Sequence, residues 1–270
     1  MPKKATILTI LVFLMMTSIS IGQTETVKRT VPANLPAFKS IPPRILLDCP
    51  TAATLPRASF DIQVRDFAGG GLLTSINVGL HQNFMLGVSY GGTGVLGESK
   101  ATWQDHPEFE VKYQIIPETY QIPAIAVGFS SQGYGPYVED WERYTYKSRG
   151  FYLVLSKAYQ TYNWATGFHG GINYSLEHTI DDDSSPNLFF GFDMNVNNNV
   201  AIVAEYDLAL NDDNEDDDYF GKGWGYLNLG LRWIFYERLE LGIDFKNLLN
   251  NREGVNEVSR ELRISYYEFF

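Results

Sequence analysis

Residues able to do acid–base or nucleophilic chemistry are sparse in this sequence. Its histidines are His81, His106, His169 and His178. Only His169 falls on the inward face of a predicted strand, beside Ser156 and Ser175. No G-x-S-x-G, H-E-x-x-H or paired-cysteine motif ties a histidine to a nucleophile or a metal. We therefore predict no catalytic residues, no metal site and no cofactor.

Acidic side chains form two runs, Asp181 to Asp183 and Asp212 to Asp218. Carboxylate clusters can hold Ca²⁺ or Mg²⁺. The second run lacks the glycine turn and the terminal glutamate of a calcium-binding loop. We expect both runs to be solvated loops.

The overall charge and composition narrow the class of protein. The 270 residues include 21 Lys and Arg against 32 Asp and Glu, a net charge of −11. This disfavours nucleic acid as a partner, because phosphate binding needs clustered positive charge. Aromatic residues make up 14% of the chain, which also has 24 glycines. With a mean hydropathy of −0.17, the composition favours a secreted β-protein or an outer-membrane β-barrel over a bundle of membrane helices.

The N-terminus predicts export. A basic pair, Lys3 and Lys4, precedes the apolar run 7–16, which is too short to span a bilayer. Small residues before Gln23 complete a secretory signal peptide over residues 1–22. Cys49 is the single cysteine, so no internal disulfide is expected.

Residues 23–57 are predicted to form a Pro-rich periplasmic tail. Six of the twelve prolines fall here: Pro32, Pro36, Pro42, Pro43, Pro50 and Pro56. Proline removes backbone donors and fixes φ, so the stretch resists both helix and sheet. The apolar run 44–47 is the one part of this tail that could dock on another surface.

From residue 58 onward apolar and polar residues alternate, the signature of strands with two different faces. We predict a twelve-stranded antiparallel up-and-down transmembrane β-barrel over residues 58–270. The strands are expected near 58–67, 72–80, 84–91, 107–116, 123–130, 150–158, 163–176, 186–196, 200–210, 223–235, 239–249 and 258–270. Most have the 9–11 residues that a tilted strand needs to cross a bilayer.

Two further features favour a membrane barrel. Short turns alternate with longer polar connections, of which 131–149, 177–185 and 211–222 are the clearest. Short periplasmic turns and longer outer loops produce this asymmetry. The chain ends on an alternating apolar face that resembles the targeting signal of bacterial outer-membrane barrels. That face consists of Leu262, Ile264, Tyr266 and Phe270.

In such a barrel lipid contacts the apolar face and the lumen takes the polar one. The predicted lumen-lining residues are Asp61, Arg65, Glu108, Glu110, Lys112, His169, Asp193, Glu205, Asp207, Arg232, Glu240, Asp244, Lys246, Glu261 and Arg263. Nine acids against five bases predict a modest preference for cations. Two interpretations stay open: ion pairs that only brace the wall, and a selective pore.

One segment carries a resemblance. Residues 109–159 combine an alternating strand, a proline-bounded turn, an Ala-Val-Gly strand and a Tyr-Leu-Val-x-Ser-Lys strand. The pattern resembles the YjbH-type outer-membrane barrel proteins associated with exopolysaccharide biosynthesis. The matching residues are Val111, Tyr113, Pro117, Pro123, Ala126, Gly128, Tyr152, Leu153, Ser156 and Lys157. The resemblance implies a role in envelope polysaccharide export and supplies no catalytic residues.

The favoured hypothesis is a non-enzymatic outer-membrane protein, either a small-solute channel or a component of exopolysaccharide export. Its expected partners are outer-membrane lipid and lipopolysaccharide, the barrel-assembly machinery and polysaccharide-export proteins. The alternatives are an outer-membrane enzyme acting on lipid or lipopolysaccharide, and a soluble secreted β-sandwich that binds carbohydrate.

Overall fold

The computed structural model describes residues 42–98, 100–160, 164–178, 180, 183–197, 199–213, 221–236, 238–252 and 258–270. The predicted signal peptide, the tail up to residue 41, and residues 181, 182 and 214–218 of the acidic runs lie outside them. Among the described residues, no helix is long and apolar enough to cross a membrane.

Twelve long strands form the main sheet, and their ends lie within three residues of those predicted. They are β1 Ser59–Phe67, β2 Gly71–His81, β3 Phe84–Thr93, β4 Glu108–Ile116, β5 Ala124–Ser130, β6 Gly150–Gln160, β7 Ala165–Tyr174, β8 Asn187–Asn195, β9 Val200–Asp207, β10 Tyr226–Phe235, β11 Leu239–Lys246 and β12 Ser259–Phe269.

Each strand pairs antiparallel with its neighbours in the chain, and the last strand closes on the first. At the closure Ser59 lies opposite Phe269 and Arg65 lies opposite Arg263. Closure leaves no unpaired strand edge in the ring. The prediction of a twelve-stranded antiparallel barrel is confirmed, and the soluble two-sheet sandwich is excluded.

The outer surface is apolar and the inner surface is charged. In β10, Leu229, Leu231 and Trp233 are 41%, 46% and 53% exposed on the outside. Asn228 and Arg232, which alternate with them, are buried inside. This inverts the arrangement of a soluble protein and fits a barrel surrounded by lipid.

Residues 44–55 do not belong to an extended periplasmic tail. Leu46, Leu47, Cys49 and Ala52 have no exposed surface, and we call this buried stretch the plug. Its first part is a tight hairpin in which the Leu46 amide donates to the Cys49 carbonyl at 2.9 Å. The prolines keep the segment out of the barrel sheet but do not prevent a short turn, which the tail prediction overlooked.

A second hairpin folds into the barrel and contacts its inner wall. The connection after β5 contains two short strands, Tyr134–Val138 and Arg143–Tyr146, joined through a 3-10 turn at Glu139–Trp141. We call residues 134–146 the loop hairpin. The Tyr134 ring lies 4.6 Å from the Arg65 guanidinium carbon, and the Tyr146 ring lies 4.1 Å from Lys246 Nζ. This connection, predicted to be an outer loop, therefore reaches wall residues inside the barrel. A separate short strand, Thr102–Trp103, extends β3.

Candidate functional site

The tip of the plug is seated on one carboxylate of the wall. Three successive backbone amides, those of Leu47, Asp48 and Cys49, donate to the Glu205 carboxylate at 3.0, 3.0 and 2.8 Å. Asn228 Nδ2 donates to the same carboxylate at 2.8 Å. Consecutive amides that converge in this way form a concave anion-binding nest. Glu205 is 1% exposed, so these four donors replace the water that would otherwise solvate its charge.

Wall cations bind the carbonyl groups on the same turn. Arg232 Nη2 and Arg263 Nη1 both donate to the Leu46 carbonyl at 3.1 Å. Arg263 Nη2 donates to the Leu47 carbonyl at 2.9 Å. Two further bonds, Arg65 to the Leu47 carbonyl and Arg149 to the Asp48 carbonyl, measure 3.3 and 3.2 Å. Donors from four directions thus fix the turn inside the barrel.

The Asp48 side chain completes the tip. Its carboxylate lies 2.7 Å from Arg65 Nη2 and 2.5 Å from Lys246 Nζ. Burial alone would raise the pKa of Asp48, but the charges of Arg65 and Lys246 lower this pKa overall. Asp48 is therefore an anion bound between two buried cations.

The remainder of the plug is bonded to the opposite side of the barrel. Arg44 forms an ion pair with Asp61, and the Arg44 carbonyl accepts a bond of 2.8 Å from Lys112 Nζ. Gln114 Nε2 donates to the Ala52 carbonyl at 2.8 Å. Because these wall residues belong to β1 and β4, whereas those at the tip belong to β1 and β9–β12, the plug crosses the lumen.

A Ser-His-Asp relay also contacts the plug. Ser156 Oγ lies 2.7 Å from His169 Nδ1, and His169 Nε2 lies 2.8 Å from Asp193 Oδ1. The Ala52 amide donates to Ser156 Oγ at 2.8 Å. If Asp193 accepts the Nε2 proton, the Ser156 hydroxyl donates to Nδ1 and its oxygen receives the plug amide. The arrangement supports the plug, since the serine oxygen that would attack a substrate is already bonded to it.

One sector of the inner wall is apolar. The plug side chains of Leu46, Leu47, Cys49 and Ala52 pack in one cluster with wall residues of β5, β6, β8 and β9. Those wall residues are Ala124, Ala126, Tyr152, Val154, Phe189 and Val203. The plug therefore has an apolar side and a hydrogen-bonded side.

The space left in the lumen is small. A cavity of about 50 Å³ lies beside the plug, and Arg44, Gln63, Asn77 and Glu110 are among its lining residues. This volume holds a few water molecules at most. A second cavity, of about 360 Å³, lies between the loop hairpin and the barrel rim, where Phe67, Glu108 and Tyr137 contribute to its lining.

Comparisons with known proteins bear on the barrel shape alone. No protein-family model and no curated protein matches this sequence. The structure of the KdgM porin is 12% identical over 78% of this chain and 99% of that one, with a TM-score of 0.47. Omp33 of Acinetobacter baumannii is 8% identical over 79% and 98%, with a TM-score of 0.44. The NanC porin is 13% identical over 78% and 99%, with a TM-score of 0.39. These likenesses are remote, and the assignment to a twelve-stranded barrel rests on the strand pairing described above.

The structure places the predicted lumen residues on the inner wall. Thirteen of them are buried, and Glu110 and Glu240 are half-buried. Arg263 pairs with Asp244 at 3.0 Å, and Arg232 also pairs with Asp244. These two arginines, which bind the plug carbonyls, thus share one wall acid, whereas Glu205 is bound to the plug.

Ser175 is not brought to the relay. Its hydroxyl accepts a bond from the Glu177 amide at 3.2 Å, within the connection after β7. The other three histidines also lie apart from Ser156. His81 ends β2, and His106 lies 3.7 Å from Glu108.

The sequence does not predict several residues of the plug site. Arg44 and Asp48 lie in the predicted tail. Arg149, which pairs with Asp207 at 2.5 Å, lies in a predicted outer loop. Phe189 was not recognised as an inward residue. The usable signal was the run 44–47, an apolar stretch headed by arginine within a segment otherwise rich in proline.

Proposed function

We propose that this chain is an outer-membrane channel for a small solute, closed in the described state by its own plug and opened when the plug leaves. The observation that carries the proposal is the chemistry of the wall around the plug. Its contacts at the tip are hydrogen bonds and ion pairs from arginine, lysine and glutamate, all of which water can replace. A permanently filled interior gains nothing from buried charges, because apolar packing is as stable or more stable.

The membrane location follows from the outer surface together with the predicted signal peptide. Exposed leucine, isoleucine and aromatic residues lie on the outer face of nine of the twelve strands. Such a surface is stable against lipid and is a liability in water. The signal peptide predicts delivery to the periplasm, from which an outer-membrane barrel is assembled.

We infer that the barrel acts without catalysis. Within the part of the chain that the structure describes, the constellation that could serve a nucleophile is Ser156 with His169 and Asp193, and it is buried and bonded to Ala52. An enzyme acting on lipid or lipopolysaccharide would need its nucleophile accessible at the membrane face or the outer mouth. The geometry favours passage of a solute over chemistry on a lipid.

Single-channel recordings in planar bilayers test the proposal. Wild-type protein should show rare openings, and the Glu205→Gln variant should open far more often because the plug amides lose their charged hydrogen-bond acceptor. Glu240→Gln is the matched control, since Glu240 is another inward acid whose nearest cation, Arg232 Nε, is 3.6 Å away. If neither wild type nor Glu205→Gln conducts, although both are folded, the channel proposal is wrong.

A second candidate, a role in exopolysaccharide export, depends on the resemblance of residues 109–159 to the YjbH-type family. These residues form three neighbouring strands of the ring, β4, β5 and β6, together with the loop hairpin. They would serve as a docking region for export proteins only if their outer loop is accessible to them. A strain lacking this gene should then lose exopolysaccharide, and complementation with the barrel should restore it. Unchanged polysaccharide would remove this candidate.

A further inference from the structure

We propose that the site holding the plug tip is a binding site for a solute that carries both a carboxylate and hydroxyl groups, such as a sugar acid. In this proposal residues 46–48 occupy the place that the solute takes when the plug leaves. The inference rests on the proposed channel function, because the solute must enter the lumen to reach the site.

The carboxylate position is defined by Asp48. Arg65 and Lys246 bind its two oxygens, at Oδ1 and Oδ2 respectively. The same two cations share one wall acid, Glu261, which pairs with Arg65 and lies 3.5 Å from Lys246 Nζ. Without Asp48, two buried cations have one carboxylate between them. When the plug has left, water can solvate these cations, and a solute carboxylate in the place of Asp48 would pair with both of them.

The hydroxyl positions are defined by the backbone of the plug. Arg232, Arg263 and Arg149 each pair with a wall acid and also donate to the neutral carbonyls of the plug. Hydroxyl oxygens accept from guanidinium in the same way. In addition, Arg263 Nε is buried with no hydrogen-bond partner, so the plug does not use every donor of this group.

Glu205 supplies the hydrogen-bond acceptor of the site. Glu205 accepts three amide protons of the plug. Hydroxyl protons of a solute can replace these donors, whereas a second carboxylate cannot. The site is therefore suited to a polyhydroxylated molecule with one carboxylate and not to a simple inorganic anion.

A preference for a carboxylate at the plug tip is opposite to the preference for cations that the net negative charge of the lumen predicts. The acidic excess along the lumen predicts a preference for cations. The plug tip, however, is the position where the cations Arg65 and Lys246 outnumber their wall acid. A carboxylated sugar and an aminated sugar should consequently behave in opposite ways, and this makes the proposal testable.

Labelling of Cys49 provides the assay in the full chain. The thiol is fully buried against the plug site, so a bulky maleimide should label it only when the plug has left. We would compare D-glucuronate, D-glucose and D-glucosamine at equal ionic strength, in a zwitterionic detergent without a sugar headgroup. Saturating glucuronate should accelerate labelling about tenfold, the equivalent of one charge-assisted hydrogen bond. Glucose and glucosamine should change the rate less than about twofold, since neither carries the required carboxylate.

Two lysine variants separate the site from a general salt effect. Lys246→Gln removes one of the two cations at the carboxylate position and should abolish the glucuronate response. Lys157→Gln is the matched control, because Lys157 pairs with Glu118 at 3.3 Å, away from the plug. Heat-modifiable gel mobility would show that both variants are folded. Loss of the response in both variants would overturn the site assignment.

The outcomes also distinguish this inference from the channel proposal. If Glu205→Gln labels quickly but glucuronate has no effect on wild type, the plug leaves and the sugar-acid site is wrong. Equal acceleration by glucosamine would overturn it as well. If Cys49 is unreactive in every variant and with every solute, the plug is permanent, and both proposals fail.

Discussion

Replacing Glu205 by glutamine should release the plug while leaving the barrel closed as a ring. The carboxylate accepts three plug amides and the side chain of Asn228 at distances between 2.8 and 3.0 Å. One oxygen, Oε2, lies within bonding distance of all three plug amides, so glutamine can keep these three bonds with a neutral acceptor. Its NH₂ group then takes the place of Oε1 and faces two donors, Asp48 N and Asn228 Nδ2.

The size of the effect can be worked out from these contacts. Hydrogen bonds to a charged group contribute about 1.5–3 kcal/mol each. Bonds to a neutral acceptor contribute about 1 kcal/mol less each, so the three plug bonds together lose about 3 kcal/mol. Because 1.4 kcal/mol is a factor of ten, the population with the plug released should rise roughly a hundredfold.

Thiol labelling measures that population directly. Burial raises the pKa of the Cys49 thiol, so both access and ionisation suppress reaction while the plug is seated. Labelling of Glu205→Gln by a bulky maleimide should be about a hundredfold faster than labelling of wild type. Glu240→Gln should match wild type. A folded Glu205→Gln barrel that labels as slowly as wild type would refute the view that this carboxylate holds the plug.

Three further outcomes are expected. Deletion of Phe270, which is 82% exposed at the end of the last strand, should impair assembly into the outer membrane, as measured by the heat-modifiable fraction; normal accumulation would contradict the targeting role. Leu229→Arg on the outer face should lower the free energy of unfolding in urea by about 2–4 kcal/mol. Gln63→Arg, at a residue that lines the small cavity, should lower it less. The reverse order would mean that the faces are wrongly assigned. Burial raises the pKa of Glu177 from 4.5 to about 8. The folded state then holds a proton that the unfolded state has lost, so the folded loop loses stability as pH rises from 4.5 towards 8, because the buried Glu177 must become charged. Trypsin cleavage at Lys147 should increase over that range, and Glu177→Gln should flatten the profile.

The barrel could be predicted from the sequence because its determinants are local and repeated. Alternation in β10, from Leu227 to Phe235, fixes both the strand and its outward face without knowledge of any distant residue. The same reasoning placed Asp244 and Arg263 on the inner wall. Adjacent antiparallel strands bring such residues side by side, which agrees with their mutual ion pair.

The plug could not be predicted in the same way, because its contacts are distant in sequence. The carbonyls of Leu46 and Leu47 bind arginines 186 and 216 residues away, and no periodicity links them. The prolines in this stretch argued for an extended tail, although a hairpin that pairs only with itself tolerates them. Asn228 shows the same limit: its position indicated a polar lumen residue, but only the structure shows that it binds Glu205.

The two sides of the plug have different energetic roles, and together they explain how a closed barrel can still open. Burial of Leu46 and Leu47 favours the closed state by about 1.5–3 kcal/mol for each side chain. Each bond of the polar side exchanges for a bond to water when the plug leaves, so it contributes less than its strength in isolation. The polar side also determines where the turn sits, since misplacement leaves buried charges unpaired. A solute that satisfies those same charges removes the penalty for leaving, so the energy that it must supply is mainly that of exposing two leucines.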